Sequence, residues 1–135
     1  MTKEQLVSKA KEAMEYSYSP YSGYKVGAAL LCKDGSVYTG CNIENAGYSS
    51  TNCAERTALF KAISEGKREF SAIAVCGGKD GIIEGLFPPC GVCRQVMREF
   101  CEDDFLIYLA AKDGIKTYTL EELLPMSFQP EMVKK

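Results

Sequence analysis

The sequence predicts an α/β fold, a three-layer α/β/α sandwich with a five-stranded mixed sheet, in which residues 1–135 form a single domain. Three observations support this prediction. Helical periodicities and apolar β-prone segments alternate in the order αββαβαββα. Two Asp-Gly pairs between such segments mark hairpins that bring neighbouring strands together. A hydrophobic fraction of 46% in 135 residues is enough for one sizeable buried core.

The first half of the chain is predicted to form two helices with a hairpin between them. Thr2 and Gln5 make a capping box at the start of the first helix, and apolar residues follow at helical spacing. Two strands then pair about a turn at residues 33–35. Their segments are YKVGAALLC and SVYTGCN. The second helix begins at Cys53 and is ended by Gly66.

The second half is predicted to add three strands and two helices. The segment FSAIAVC, residues 70–76, is the third strand, and the glycine- and proline-rich segment GGKDGIIEGLFPP that follows is a loop. This loop leads into a helix that holds Cys90 and Cys93. A second hairpin turns about residues 113–114, and a capping box at residues 119–122 starts a short last helix.

Composition and charge exclude several classes of function. The 16 basic and 18 acidic residues give a net charge of -2, without the basic surface that nucleic-acid binding requires. No apolar segment approaches the roughly 18 residues of a membrane span, and the first ten residues lack the apolar core of a signal peptide. We therefore expect a cytoplasmic protein with a small-molecule partner, no nucleic acid and no membrane.

Seven cysteines and no histidine indicate thiol chemistry. An odd number of cysteines without a secretory context argues against a disulfide framework, and without histidine a soft metal site must be built from cysteine. Cys53, Cys90 and Cys93 each lie near a predicted helix N-terminus, which favours the thiolate that binds zinc. The Cys90 and Cys93 pair alone leaves a redox pair, a core pair or a chance spacing open. The remaining four are expected to be small core residues: Cys32, Cys41, Cys76 and Cys101.

Three cysteines and a neighbouring glutamate favour hydrolysis. A zinc site with three protein ligands keeps a position for water, whereas a structural site is closed by four. Glu55 follows Cys53 by two residues, so we expect it close enough to hydrogen-bond a water at that position. Two other interpretations stay open: Glu55 as an acid that complements the helix dipole, and a structural zinc module closed by one of the other cysteines.

Two short motifs resemble the signature of the zinc-dependent nucleoside deaminases. They are Cys53-Ala54-Glu55 and Pro89-Cys90-Gly91-Val92-Cys93, in the version of the signature that has cysteine in place of histidine. The resemblance continues in the family's order through VGAALL, GCNIENAGYS, CAERTAL, PCGVCRQ and EELLPMSF. It covers nearly the whole chain, which is similar to the cytidine deaminases of the small, homotetrameric kind.

The resemblance implies zinc-dependent hydrolytic deamination of cytidine and deoxycytidine to uridine and deoxyuridine plus ammonia, a reaction of pyrimidine salvage. It implies one zinc ion per chain, bound by Cys53, Cys90 and Cys93. Glu55 would transfer the protons, and Arg56 would hydrogen-bond the cysteine ligands and offset part of their negative charge. The alternatives are a deaminase of another cytosine-bearing small molecule, such as blasticidin S, and a non-catalytic structural zinc module.

The resemblance also assigns polar groups to the nucleoside. Asn42 and Glu44 would bind the ribose 3′-hydroxyl, and the backbone N–H of Ala54 would bind the carbonyl of the base. A carboxylate beside the sugar repels phosphate, so these groups favour a nucleoside over a nucleotide. From its residue types alone, the segment NIEN would be interpreted as an ordinary polar loop.

Four further positions are implied to complete the pocket. Tyr24 and Phe128 would cover the base, and Tyr24 stands where the family often has phenylalanine. Phe128, together with Ala46 and Tyr48, would be contributed to a neighbouring chain in a homotetramer with shared active sites. Pro88 stands where serine is common, which changes the segment before Cys90. On sequence alone, these aromatic residues are core residues as often as binding residues.

Overall fold

The structure, a computed structural model, describes residues 1–134, and that range contains four α-helices and five β-strands. The helices are α1 (Lys3–Met14), α2 (Ala54–Ser64), α3 (Gly91–Phe100) and α4 (Leu120–Leu123). The strands are β1 (Tyr24–Cys32), β2 (Val37–Cys41), β3 (Phe70–Lys79), β4 (Leu106–Ala111) and β5 (Gly114–Thr119). No helix in this range combines the length and apolar character needed to cross a membrane.

The five strands form one mixed sheet in the order β2-β1-β3-β4-β5. β3 and β4 run parallel, and the other neighbouring pairs are antiparallel. The two hairpins therefore lie at opposite edges of the sheet, and β3 joins them. α3 belongs to the crossover from β3 to β4, since parallel strands cannot be joined by a tight turn. The predicted α/β fold with a five-stranded mixed sheet is confirmed.

Helices cover both faces of the sheet, which accounts for the nearly continuous apolar runs in its strands. On one face α1 packs on small side chains, and this core contains Leu6, Val7, Ala10, Met14, Ala29, Ala72, Ala74 and Cys76. On the other face α2, α3 and α4 pack together, and this core contains Ala58, Leu59, Ile73, Val75, Met97, Ile107 and Leu120. Because α2 and α3 share one face, their N-termini can meet.

β3 is longer than the sequence predicted. It runs to Lys79, and residues 77–79 pair with residues 24–26 of β1 instead of forming a loop. The prediction was wrong because consecutive glycines have a low strand propensity, and the pairing partner is distant in sequence. Glycine is needed there because a Cβ at Gly78 would lie 1.8 Å from the carbonyl oxygen of Ile82, where the chain folds back over the strand.

The two predicted capping boxes are present. Thr2 with Gln5 starts α1, and Thr119 with Glu122 starts α4. α2 and α3 are preceded by cysteines at the N-cap position, so Cys53 lies one residue before its helix and not within the first turn. The N–H groups of a first helical turn have no partners within the helix. The N-cap cysteines therefore sit at the positive ends of both helices.

We predict that Gly27→Ala lowers the free energy of unfolding by about 3 kcal/mol or more, because overpacking here meets backbone and not a movable side chain. A Cβ at Gly27 would lie 2.0 Å from the carbonyl oxygen of Ala10 and 2.7 Å from the nitrogen of Met14. Urea denaturation measures the change. Gly85→Ala is the matched control, since a Cβ at Gly85 meets no described atom within 4 Å. Equal stability of the Gly27→Ala variant and the unmodified protein would contradict the close packing of α1.

Candidate active site

Three cysteine side chains meet where the N-termini of α2 and α3 come together. Cys53 and Cys90 are the N-cap residues of the two helices, and Cys93 lies on the first turn of α3. The sulfur atoms of Cys53 and Cys90 are 3.8 Å apart, and those of Cys90 and Cys93 are 3.4 Å apart. All three sulfur atoms lie within 4.8 Å of one another. We call these three residues the cysteine group.

The cysteine group has the composition and the spacing of a zinc site. Ligand atoms at about 2.3 Å from zinc in a tetrahedron are about 3.8 Å from one another, close to the observed sulfur separations. A disulfide would require about 2.05 Å, and all three thiols are free. Within residues 1–134, no fourth cysteine or carboxylate joins the group. Of the other cysteines, Cys41 is half-buried, and the rest are buried: Cys32, Cys76 and Cys101.

Arg56 supplies positive charge beside the sulfur atoms. Its Nη2 atom donates to Cys53 Sγ at 3.3 Å. The pKa of Cys53 falls to about 5, because the Cys93 thiol and then Arg56 donate to its thiolate. The pKa of Cys93 rises, because that thiol donates to Cys53 and is buried. Burial opposes the charge of Arg56, but its hydrogen bonds to Cys53 and Cys93 raise its pKa, so the guanidinium stays charged.

Glu55 is a buried carboxyl group on the first turn of α2. The residue is only 5% exposed. Burial raises the pKa of Glu55 to about 7, and the neighbouring Cys53 thiolate adds to the increase. A carboxyl group with a pKa near neutrality is present in both protonation states at pH 7. It can therefore accept a proton and return it within one reaction cycle.

Asn42 uses its side chain to connect the end of β2 with β1. Its Nδ2 atom donates to the carbonyl oxygen of Tyr24 at 2.8 Å, and its Oδ1 atom accepts from the backbone nitrogen of Val26 at 2.9 Å. The hydroxyl group of Ser17 donates to the same Oδ1 atom. The residue is 8% exposed. Asn42 therefore joins the start of β1 to the end of β2 and to Ser17, a structural role that the sequence did not indicate.

Glu44 holds the loop that precedes β1. Its Oε1 atom accepts from the backbone nitrogens of Tyr21 and Ser22 at 2.9 and 3.1 Å, and its Oε2 atom accepts from the hydroxyl group of Ser22. These bonds, that of the Ser22 hydroxyl first, lower the pKa of Glu44. Sequence reasoning missed Ser22, because the segment around it shows only a helix stop and its partner is 22 residues away.

Tyr24 lies between a charged and an aromatic neighbour. Its ring centre is 6.0 Å from that of Phe87, and Lys79 Nζ is 5.3 Å from the Tyr24 ring centre. Tyr24 and Phe87 line a cleft of about 420 Å³, whose lining includes neither the cysteine group nor Glu55. Phe87 was missed as a neighbour of Tyr24, although it stands three residues before Cys90 in the segment FPPC. Tyr24 itself is 44% exposed.

The other positions of the expected pocket are divided between buried and exposed sites. Ala54 is fully buried at the first position of α2, where backbone N–H groups are free to bind a ligand. Ala46, Tyr48 and Phe128 are all exposed in the single chain. Tyr48 is 70% exposed and Phe128 is 58% exposed, so their own chain leaves much of each ring uncovered.

Comparison with known proteins gives consistent results. The family model described as "Cytidine and deoxycytidylate deaminase zinc-binding region" matches residues 1–109. The chain is 53% identical over 132 residues to a cytidine deaminase of Halalkalibacterium halodurans, with 97% of each chain covered. It is 50% identical over 132 residues to that of Sporosarcina psychrophila, with 97% of this chain and 94% of the other covered. The crystal structure of cytidine deaminase from Burkholderia pseudomallei superposes with a TM-score of 0.88 at 46% identity, covering 95% of this chain and all of the other.

A helix-covered mixed sheet with three thiols and a buried carboxyl group at two helix N-termini defines a zinc-binding domain equipped for hydrolysis. The extent of the sequence match makes the assignment more specific. The chain belongs to the cytidine and deoxycytidylate deaminase family, and its relatives at 50% and 53% identity are cytidine deaminases.

We predict that Glu44→Gln lowers the urea midpoint of unfolding at neutral pH, because an amide cannot accept from all the donors that face Glu44. A carboxyl group whose pKa is lowered by folding stabilises the protein above its unfolded pKa, about 4.3 for glutamate. That stabilisation disappears as the pH falls through the pKa of the folded state. The difference between the two proteins should therefore vanish in acid.

The exposed Glu102 provides the matched control for this prediction. Glu102→Gln should leave the urea midpoint unchanged over the same pH range. A Glu44→Gln variant that unfolds like the unmodified protein at neutral pH would show that the bonds of Glu44 to the loop contribute no stability.

Proposed function

We propose that the protein catalyses the zinc-dependent hydrolytic deamination of cytidine and deoxycytidine to uridine and deoxyuridine, with release of ammonia. The observation that carries this proposal is the cysteine group beside the buried Glu55. It occurs in a chain that matches cytidine deaminases over 97% of its length. Water adds at C4 of the base, and the exocyclic amino group leaves.

The cysteine group would hold one zinc ion per chain. Three thiolates bring one negative charge more than a divalent cation neutralises, and two features of the chain offset that excess. Each helix N-terminus carries about half a positive charge, and Arg56 adds a full one next to Cys53. When bound, zinc lowers the pKa of a water molecule so that a nucleophile is available at pH 7.

Glu55 would transfer the protons of the reaction. In its ionised form it would accept a proton from the attacking water and donate it to N3 of the base. It would then accept the remaining proton from the new hydroxyl group at C4 and donate that proton to the departing amino group, which leaves as ammonia. The burial that raises its pKa to about 7 makes both directions of transfer accessible near neutral pH. The reaction consumes one water per nucleoside, and Glu55 returns to its starting state.

The polar groups near the ends of β2 and α2 would orient the nucleoside. The Ala54 N–H, at a helix N-terminus, suits the carbonyl oxygen of the base. Asn42 Nδ2 has a second hydrogen beyond the one donated to Tyr24, and the Glu44 oxygens can accept further bonds. Both side chains can therefore hydrogen-bond the 3′-hydroxyl while they keep their bonds within the chain. The fixed negative charge of Glu44 disfavours phosphate.

The exposed residues of the pocket would be used by a second copy of the chain. Ala46, Tyr48 and Phe128 are exposed where the single chain offers them no cover, so a homotetramer with shared active sites accounts for their positions. Seven free cysteines fit the reducing conditions of the cytoplasm, where we place the protein. The net charge of -2 supports a nucleoside and not a polynucleotide as substrate.

We predict that Glu55→Gln lowers turnover of cytidine by roughly 10²-fold or more, because the amide keeps the shape of the side chain but cannot carry a proton. The fall in cytidine absorbance on conversion to uridine measures turnover, with deoxycytidine and blasticidin S assayed in parallel. The exposed Glu65, the C-cap residue at the opposite end of α2, offers a control, and Glu65→Gln should keep normal turnover.

Zinc content separates a loss of chemistry from a loss of the metal. Both variants should retain one zinc per chain, and X-ray absorption should show three sulfur neighbours at about 2.3 Å and one lighter neighbour. Four sulfur neighbours would identify a structural zinc module and contradict the proposed function. Turnover of blasticidin S in preference to both nucleosides would change the substrate but retain the reaction.

We predict that two nearly inactive variants, Glu55→Ala and Phe128→Ala, regain activity when they are unfolded together and reassembled. If Phe128 serves a neighbouring chain, a site needs Glu55 from its own chain and Phe128 from its donor. Random assembly from equal amounts then restores roughly one half times one half, about a quarter, of the sites. Mixed oligomers without activity would show that each chain uses its own Phe128.

A further inference from the structure

Two consecutive side chains of α3 hydrogen-bond the end of α4 and the segment that follows it. Arg94 Nη1 donates to the carbonyl oxygen of Leu123 at 2.7 Å, and Arg94 Nε donates to that of Pro89 at 2.8 Å. Gln95 Nε2 donates to the carbonyl oxygen of Phe128 at 2.9 Å. Side chains of α3 therefore bind one backbone oxygen that precedes the helix in sequence and two that follow it.

The backbone between these two attachment points has an unusual shape. Met126 has a φ of +48°, in the left-handed region that residues other than glycine rarely adopt, and its side chain is fully exposed. Ser127 is buried, and its hydroxyl group has no hydrogen-bond partner among the described residues. Phe128 then points outward and is 58% exposed. A strained residue persists only where surrounding contacts fix it, so this turn has a defined conformation.

We propose that Gln95 is a positioning residue that holds Phe128 in the orientation in which its ring reaches the pocket of a neighbouring chain. This inference rests on the proposed function, in which Phe128 covers the base in a second copy. Gln95 follows Cys93 by two residues on the same helix. The position of the Phe128 ring is thereby tied to α3, the helix that begins after Cys90 and contains Cys93 of the same chain.

The geometry explains why the task falls to Gln95. The exposed ring of Phe128 extends away from its own chain, so its orientation depends on its backbone. Arg94 fixes the segment only at Leu123, five residues earlier. The bond from Gln95 is made at Phe128 itself, and it would strengthen when a second chain covers it and excludes water.

Steady-state kinetics test the functional part of the inference. Gln95→Met keeps the length of the side chain but removes the donor, and it should raise KM for cytidine about tenfold while kcat changes by less than about twofold. Gln95→Lys, which restores a donor, should recover most of the lost affinity. Glu99→Gln, at an exposed position one helical turn further on, is the control and should leave both constants unchanged.

The same substitution in the Phe128→Ala background shows whether Gln95 acts through Phe128. If it does, Gln95→Met produces no further change in KM once the ring is gone. An equal increase of KM in both backgrounds overturns the inference, because Gln95 would then act through other contacts. No increase in either background overturns it when Phe128→Ala by itself raises KM.

A tryptophan reporter separates this inference from the proposed function. The chain has no tryptophan, so Phe128→Trp introduces a single one at the position in question. Gln95→Met should lower the fluorescence anisotropy of that tryptophan and increase its quenching by acrylamide. Unchanged values overturn the inference whatever the kinetics. A more mobile tryptophan, together with normal kinetics of Phe128→Ala, supports the role of Gln95 as the holder of residue 128 and rejects the lent ring of the proposed function.

Discussion

The close approach of helix backbone to the sheet is the constraint on which the rest of the structure depends. Two glycines permit it, one under each helical layer. Gly27 lies beneath α1, and a Cβ at Gly40 would lie 2.6 Å from both the carbonyl oxygen of Ala54 and the nitrogen of Ala58. Gly40 thus sets how deeply the first turn of α2 sits, and that turn directly follows Cys53 and carries Glu55. The position of the cysteine group follows from backbone packing before any metal chemistry is considered.

Burial raises the pKa of both kinds of acid at the site, but the net shifts are opposite. It raises the pKa of Glu55 to about 7, whereas hydrogen bonds overcome it at Cys53, whose pKa falls to about 5. The difference arises because Cys53 accepts from Cys93 and Arg56, while burial dominates at Glu55. One helix end therefore provides a thiolate and a carboxyl group with a pKa near neutrality, two residues apart.

Local features of the fold were predictable from sequence, and features that depend on distant partners were not. The capping boxes at Thr2 and Thr119 involve residues three positions apart, and both are confirmed. The extension of β3 to Lys79 depends on pairing with Tyr24, and the bonds of Glu44 to Ser22 span 22 residues. The three cysteines are distant in sequence, but their proximity was predictable. A chain without histidine must build a soft metal site from cysteines, and these three lie at the N-termini of two predicted helices.

The order of strands in the sheet also determines how the chain can fold. The hairpins β1–β2 and β4–β5 close over a few residues each, so their contacts form at a small loss of chain entropy. β3 has no neighbour in the sheet that is also adjacent to it in sequence, because α2 and β2 separate it from β1 and α3 separates it from β4. Its pairing requires the closure of long loops on both sides, the kind of contact that slows folding. β3 is consequently the strand whose docking converts two independent hairpins into one cooperative unit.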